Sequence, residues 1–205
     1  LYPLTDQNGK QVTNTGRIVY DTKGNIFIYA YENGFYVWEY YNKKVRHYNK
    51  WDIDPSDTSI KDNYLAPSLV DRNGFCWLTS SNGVYRFDVQ AQKAIHIGTS
   101  ESPGVPMMGK TQYVAEDVQG HIWIATDANG LYEWYREGDR EVLRNYNRYS
   151  GIGLPVDYCW KIKADPRDSM LWISNTVGLL RFDPVAKRVV SIFSKQNGFN
   201  VDDGG

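Results

Sequence analysis

One motif recurs four times along this 205-residue chain and constrains its fold more than any other feature. Each copy opens with an aspartate, carries a large aromatic ring six or seven residues later and continues through a glycine to a second ring. The opening residues are Asp21, Asp71, Asp117 and Asp165, which lie 50, 46 and 48 residues apart. From the glycine to the second ring the interval is four residues in every copy. We therefore expect four similar structural units.

Each copy reads as a turn, a strand, a second turn and a second strand. In the third copy, Asp117-Val-Gln-Gly120 is typical of a type I turn. The run from His121 to Thr126 is apolar, β-branched and aromatic over the length of a strand. Further strand-like runs precede and follow the motif, so each unit is predicted to hold four strands. No stretch of ten or more residues has convincing helical periodicity.

A period in the high forties, with four short strands per unit, indicates the blades of a β-propeller. The sequence predicts an all-β propeller with about four consecutive four-stranded antiparallel blades, occupying residues 1–205. Because most propellers close with more blades, we expect these to be part of a larger ring. The predicted blade limits are about 16–49, 65–97, 111–146 and 158–193.

Composition restricts the classes of partner. Lys plus Arg number 23 against 24 for Asp plus Glu, without a basic stripe, which argues against a nucleic-acid partner. No apolar run reaches the roughly 18 residues of a membrane-spanning helix. The chain opens at Leu1 without a signal-peptide pattern, which we interpret as an excised or processed piece. Cys76 and Cys159 lie in different repeats and are predicted to be buried thiols.

The motif aspartates have two alternative interpretations. A calcium loop needs further oxygen ligands at alternate positions, and Thr22, Arg72 and Val118 break that spacing, so the sequence favours structural turns. The turns also resemble the Asp-box of sialidase-type propellers, but a glycoside hydrolase needs a paired set of carboxylates that we do not find. We therefore expect no enzyme activity and no cofactor.

The histidines and the periodic rings have structural interpretations. His47, His96 and His121 have no neighbouring residues at metal-ligand spacing and are predicted to be surface or edge residues rather than metal ligands. The first rings of the motifs occupy equivalent positions and are predicted to form the core between blades. These are Phe27, Trp77, Trp123 and Trp172.

Other aromatic residues lie in or next to the connections between repeats. In a propeller, these connections and the turns after each second strand emerge on the same face, where a carbohydrate could meet both ring faces and polar groups. Ordinary loop packing is the alternative interpretation of these rings. The predicted ligand-binding residues are Trp51, Tyr64, Asp127, Asn129, Tyr149 and Tyr158.

The repeat resembles the two-component-regulator propeller, whose blades read roughly D-x-x-G-x-I-W-I-G-T and then G-L-x-R-Y/F-D. Gly178-Leu-Leu-Arg-Phe-Asp183 follows the second half, and Tyr149-Ser-Gly-Ile-Gly-Leu-Pro155 is similar to the family's D-G-L-P connector. Tyr29 and Ala30 depart from the pattern, and the turn after Asp165 is one residue longer. The resemblance covers about residues 16–200.

That resemblance implies the periplasmic sensor region of a membrane-bound histidine kinase, often a hybrid kinase–regulator. Bacteroides-type members sense breakdown products of complex glycans, so the expected ligand is a small molecule such as an oligosaccharide. The alternative is a protein–protein interaction or dimerisation scaffold within such a receptor. Expected partners are the remaining blades and signalling domains of the receptor. Self-association is also expected, because the end blades of a partial ring would lack neighbours.

Overall fold

The computed structural model describes residues 4–50, 60–98 and 107–198, and their regular structure is almost entirely β-strand. The first eight strands are β1 Thr15–Tyr20, β2 Asn25–Ala30, β3 Phe35–Glu39, β4 Lys44–Tyr48, β5 Ala66–Val70, β6 Cys76–Thr79, β7 Val84–Asp88 and β8 Lys93–Ile97. The other eight are β9 Thr111–Glu116, β10 Ile122–Thr126, β11 Leu131–Glu137, β12 Arg140–Tyr146, β13 Cys159–Ala164, β14 Leu171–Asn175, β15 Leu179–Asp183 and β16 Arg188–Phe193. A 3-10 turn at Lys195–Asn197 is the one helical element of the described residues.

Each group of four successive strands forms one antiparallel sheet in which sequence neighbours pair. The prediction of four consecutive four-stranded antiparallel sheets is therefore confirmed. We number these sheets one to four in chain order.

The second glycine of the motif is required by close backbone packing rather than by the turn alone. Gly130 has a φ of +72°, and a β-carbon there would overlap the carbonyl oxygen of Tyr146 on β12. Gly34 and Gly178 have the same relation to the ends of β4 and β16. Any side chain at these positions would push the third strand off the fourth, which explains why the glycine recurs.

The chain divides into two compact units, residues 1–97 and residues 98–205, and each contains two sheets. In unit 1, Phe27, Phe35 and Val37 of the first sheet pack against a group from the second sheet that includes Leu78 and Phe87. All five side chains are buried. The hydrophobic core of this unit therefore lies between its two sheets, as it does between neighbouring propeller blades.

Unit 2 repeats the arrangement with its own core. Trp123 and Leu131 of the third sheet pack against Leu171, Leu180 and Phe182 of the fourth. Trp123 has no exposed surface, and its ring centroid lies 5.1 Å from that of Phe182 in an edge-to-face arrangement. The predicted role of the motif rings in the core between sheets is confirmed for Phe27 and Trp123. Trp77 has no exposed surface, whereas Trp172 is only half-buried.

The other face of the first sheet differs from our expectation that an end blade exposes apolar surface. Ile28 and Tyr36 on that face are only 7% and 2% exposed. Leu4 and Val12, from a hairpin closed by the Thr5–Gln11 bridge, pack against them. A short segment before the first repeat thus takes part of the place of a neighbouring blade.

Both cysteines are free and fully buried, as predicted. Burial raises the pKa of the Cys159 thiol to about 12 and raises that of Cys76 well above its usual value. These thiols behave as small apolar side chains in the sheet cores.

Candidate functional site

The motif aspartates form hydrogen bonds both to the turn that follows them and to the tryptophan of the next strand. One carboxylate oxygen of Asp71 accepts the backbone N–H groups of Asn73 and Phe75, both at 3.0 Å. Its other oxygen accepts the indole N–H of Trp77 at 2.8 Å. Asp117 makes the three equivalent bonds in the third sheet. The carboxylate therefore holds the turn and the core ring in one fixed relation.

The first and fourth copies vary this arrangement. Asp165 accepts the indole N–H of Trp172 at 2.9 Å and also the guanidinium of Arg167 at 2.7 Å. The hydrogen bond from Arg167, followed by that from Trp172, holds the pKa of Asp165 well below its usual value. In the first copy the ring of Phe27 has no N–H to donate, and the side-chain amide of Asn25 donates to Asp21 instead, at 2.6 Å.

These hydrogen bonds confirm the interpretation of the motif as a structural turn. Among the described residues, no three His, Cys, Asp or Glu side chains are grouped to hold a metal ion. Sequence reasoning assigned the tryptophans to packing alone and missed their bonds to the aspartates. The signal was present in the interval of six residues between Asp71 and Trp77 and between Asp117 and Trp123.

Asp127 and Asn129 lie together in the β10–β11 turn, and both are already engaged. Gln112 donates to one oxygen of Asp127, and Lys110 Nζ lies 3.5 Å from the other. The side-chain amide of Asn129 donates to the carbonyls of Met107 and Met108 at 3.1 and 3.2 Å. Both residues therefore hold the turn against the preceding connection, which leaves them less polar capacity for a ligand than the sequence suggested.

A second link joins that turn to the connection that carries Tyr149 and Tyr158. The backbone N–H of Gly130 donates to the carbonyl of Asp157 at 2.8 Å. The carboxylate of Asp157 accepts the backbone N–H of Arg148 at 2.7 Å, and the guanidinium Nε of Arg148 lies 3.3 Å from its other oxygen. Asp157 therefore links the turn that holds Asp127 and Asn129 to the connection that holds Tyr149 and Tyr158.

The rings of this region are exposed. Tyr149 is 81% exposed, and the Arg148 guanidinium lies 4.9 Å from its ring centroid. Tyr158 is 38% exposed and meets Trp160, 43% exposed, edge-on at 5.6 Å. We name Tyr149, Tyr158 and Trp160 the aromatic face of unit 2.

Tyr64 lies in unit 1, in a position equivalent to that of Tyr158. The N–H of Gly34 donates to the carbonyl of Asn63 at 2.8 Å, as Gly130 does to Asp157. The sequence pattern places Tyr64 and Tyr158 outside the repeat, but each directly follows the residue whose carbonyl accepts the glycine N–H. Tyr64 packs edge-on against Tyr29 at 5.5 Å. Trp51, the remaining predicted residue, lies outside the described residues.

In unit 1, two histidines contact the backbone of the turns that follow the second strand of each sheet. His47 Nε2 lies 2.7 Å from the carbonyl of Asn33, and His96 Nε2 lies 2.5 Å from that of Asn82. Each ring also stacks on a tyrosine, Tyr36 for His47 and Tyr85 for His96. His47 is only 5% exposed and lies in β4, the last strand of its sheet, so of the two predicted positions it occupies an edge rather than the surface. In the third sheet the amide of Asn145 takes the same place, donating to the carbonyl of Asn129 at 2.7 Å.

Within the described residues, no helix has the length and apolar character needed to cross a bilayer. The chain matches no protein-family model and no curated protein sequence.

Solved structures do match. The extracellular domain of a Bacteroides thetaiotaomicron protein described as a hybrid two-component system, BT4673, aligns over 95% of this chain and 27% of its own length, with a TM-score of 0.69 and 19% identity. PorZ, a surface component of the type-IX secretion system of Porphyromonas gingivalis, aligns over 85% of this chain and 26% of its own, with a TM-score of 0.63 and 16% identity. A gluconolactonase from Xanthomonas campestris aligns over 88% of this chain and 62% of its own, with a TM-score of 0.61 and 12% identity.

These likenesses establish the fold, and the chain spans only about a quarter of the first two proteins. The predicted propeller class is confirmed, and the resemblance drawn from the repeats agrees with it at the level of structure. This chain has a β-propeller fold similar to that of the extracellular domain of BT4673.

Proposed function

We propose that this chain is part of a non-enzymatic, extracytoplasmic sensor module that binds a small polyhydroxylated ligand, such as an oligosaccharide, and relays its presence to a kinase. The observation that carries the proposal is the aromatic face of unit 2, with its exposed rings beside the polar groups held by Asp157. Exposed aromatic rings beside polar groups are common at binding surfaces, because each ring offers apolar area and a polar edge.

The chemistry of this face suits a sugar. Tyr158 and Trp160 offer apolar ring surface to the C–H groups of a saccharide, while phenol and indole groups at their edges can hydrogen-bond. Arg148, half of whose side chain is exposed, and the side-chain oxygen of Asn129 supply a donor and an acceptor for hydroxyls. A mixed surface of this kind is what small-molecule sites use to fix orientation.

The receptor context is supported by the repeat motif and by the shared fold of the BT4673 extracellular domain. From these we infer a periplasmic location, attachment to the membrane through the parent receptor, and partners among its other blades and signalling domains. The gluconolactonase shares the fold at 12% identity, which carries no argument for activity here.

The test uses the complete sensor region and a panel of neutral oligosaccharides in calorimetric titrations. Trp160→Ala and Tyr158→Ala should each weaken binding by about tenfold or more, because each removes a ring from the ligand surface. Tyr20→Ala, at a tyrosine that is 78% exposed in unit 1, is the matched control and should leave affinity unchanged.

Unchanged affinity in both ring variants, with folding intact by circular dichroism, would remove the site from the aromatic face. The scaffold alternative makes a different prediction. Under that alternative, the same variants would weaken self-association in sedimentation experiments while no saccharide binds.

A further inference from the structure

A polar cleft in unit 1 has chemistry that the sensor proposal does not use. Its volume is about 280 Å³, and it lies between three turns of the first and second sheets. The β1–β2 turn supplies Lys23, the β5–β6 turn supplies Asn73 and Phe75, and the β7–β8 turn supplies Asp88 and Gln90. This is the side of the sheets that carries the motif turns, whereas the aromatic face lies with the turns after the second strands.

The walls of the cleft are held in place by hydrogen bonds that leave their outer groups unused. One oxygen of Asp21 accepts the backbone N–H groups of Lys23 and Asn25, both at 2.8 Å. One oxygen of Asp88 accepts the backbone N–H groups of Gln90 and Ala91 at 2.8 and 3.1 Å. The turns are therefore fixed before any ligand arrives, which lowers the entropy cost of binding.

Four polar groups around the cleft make no hydrogen bond or ion pair with any described residue. They are the side-chain amides of Asn73 and Gln90, the ammonium of Lys23 and the second oxygen of Asp88. The two amides each combine donors with an acceptor, so together the four groups can both give and receive hydrogen bonds. Phe75 adds an apolar wall, with the guanidinium of Arg86 stacked on its ring at 5.0 Å.

Unit 2 provides an internal comparison, because the turns that correspond to those of Asn73 and Gln90 recur there without a side-chain amide at these two positions. The position of Asn73 is held by Arg167, whose guanidinium is bound to Asp165. The position of Gln90 is held by Val185, whose backbone N–H still donates to Asp183 at 2.9 Å. These two turns therefore fold without a free amide, so the amides of Asn73 and Gln90 exceed what the fold requires.

We infer that this cleft is a binding site for a single neutral sugar ring or a similar small polyol, separate from the aromatic face. Hydroxyl groups both donate and accept, as the four unused groups do, and the apolar wall fits the C–H side of a sugar ring. The volume of about 280 Å³ lies just below the range of ligand pockets, which starts near roughly 300 Å³, and so suits one ring rather than a chain.

Other ligand classes fit less well. A divalent cation prefers several carboxylate oxygens, but Asp21 and one oxygen of Asp88 are bound to backbone N–H groups and Lys23 would repel the ion. An inorganic phosphate would face two carboxylates and a single ammonium.

The experiment titrates the isotope-labelled full chain with D-glucose, D-galactose and D-mannose and follows the side-chain amide resonances of Asn73 and Gln90. At least one sugar should shift both signals with saturation. In the double variant Asn73→Ala/Gln90→Ala the dissociation constant, followed through the backbone N–H of Gly74, should rise by about tenfold or more, as expected when two hydrogen bonds are lost.

The matched control is Gln119→Ala/Val185→Ala, which truncates exposed side chains in the equivalent turns of unit 2 and should leave the titration unchanged. Tyr158→Ala should also leave it unchanged, so failure of one site is distinguishable from failure of the other. The proposal is overturned if none of the three sugars shifts the two amides, or if the double variant binds as tightly as the parent. It is equally overturned if calcium chloride or inorganic phosphate produces the shifts and the sugars do not.

Discussion

The sheet–sheet interface within unit 1 and the one within unit 2 use the same repeat with different chemistry. In unit 1, Val37 occupies the third-strand position opposite Phe27 and is 1% exposed. Around it, Phe87 of the second sheet lies 5.1 Å from Phe35 and 4.8 Å from Tyr48, both edge-on. These contacts at the centre of the interface are apolar and aromatic.

In unit 2 the position of Val37 is taken by Glu133, opposite Trp123, with a side chain only 1% exposed. Its carboxylate accepts the phenol of Tyr146 at 2.8 Å, lies 2.7 Å from His121 Nδ1 and binds the ammonium of Lys187 from the neighbouring sheet. The Lys187 ammonium also lies 4.6 Å from the centre of the Trp123 ring. A buried charge cluster thus replaces the apolar contact of unit 1.

The difference indicates that apolar packing is sufficient to join two such sheets, and that the charges of unit 2 restrict how its sheets can align. A buried carboxylate is tolerated only when hydrogen bonds and an opposite charge compensate for its desolvation. Here three groups converge on Glu133, and one comes from the opposing sheet. The third and fourth sheets must therefore meet in a single register for Lys187 to reach its partner, whereas the apolar interface permits small adjustments.

The largest expected effect is at the first ring of the motif, which is Phe27 in the core of unit 1 and Trp123 in the core of unit 2. Trp123→Ala should lower the free energy of unfolding by about 3–5 kcal/mol, since it deletes a large buried ring. Denaturant unfolding followed by circular dichroism measures this. Trp160→Ala, at a half-exposed tryptophan, is the control and should cost less than about 1 kcal/mol. A parental midpoint in Trp123→Ala would show that the ring is not part of the core.

The next effect concerns the aspartate that holds that ring. Asp117→Ala removes three hydrogen bonds and leaves the indole N–H of Trp123 buried without an acceptor. We expect a loss of about 2–3 kcal/mol. The comparison is Asp21→Ala in the first copy, where Asp21 is half-exposed and no indole depends on it, with a loss of about 1 kcal/mol. Equal losses at the two positions would mean that the bond to the indole adds nothing to stability.

Sequence reasoning recovered the repeat, the strands and the core rings because period and residue type determine them directly. It failed where one side chain replaces another in the same contact. Asn25 donates a hydrogen bond to Asp21 where Trp77 donates one to Asp71. Asn145 bonds to the backbone carbonyl of its neighbouring turn, as His47 and His96 do in unit 1. Such substitutions preserve a hydrogen bond but not a sequence pattern.

The candidate site was only partly predictable for a related reason. Asp127 and Asn129 have residue types suited to a ligand, but the bonds that engage them come from Gln112 and the 107–108 backbone, 15 to 22 residues earlier. The unused amides of Asn73 and Gln90 lie in ordinary turns. Only the three-dimensional arrangement distinguishes a free polar group from a committed one.

A smaller effect is expected from the charge cluster itself. Glu133→Gln should lower the free energy of unfolding by about 1–3 kcal/mol, less than for a wholly buried pair because Lys187 is 27% exposed and can turn toward water. Glu133→Val/Lys187→Gln installs the residues that unit 1 has at these positions, Val37 and Gln92. Unfolding measurements should show the double variant to be less destabilised than the sum of its two single variants. Strict additivity would mean that the two side chains do not interact.

The smallest effect is the pH dependence of that cluster. Burial alone would raise the pKa of Glu133, but hydrogen bonds from Lys187, His121 and Tyr146 outweigh it and hold the pKa below its ordinary value of 4.5. A carboxyl group with a lowered pKa in the folded state stabilises the protein above its unfolded pKa, and this contribution is lost as the pH falls through the folded value. The stability difference between the parent and Glu133→Gln should therefore be full at neutral pH and shrink below pH 4.5. Urea titrations between about pH 5 and pH 3 measure it. A difference that stays constant or grows on acidification would show that Glu133 is not the ionised acceptor at this interface.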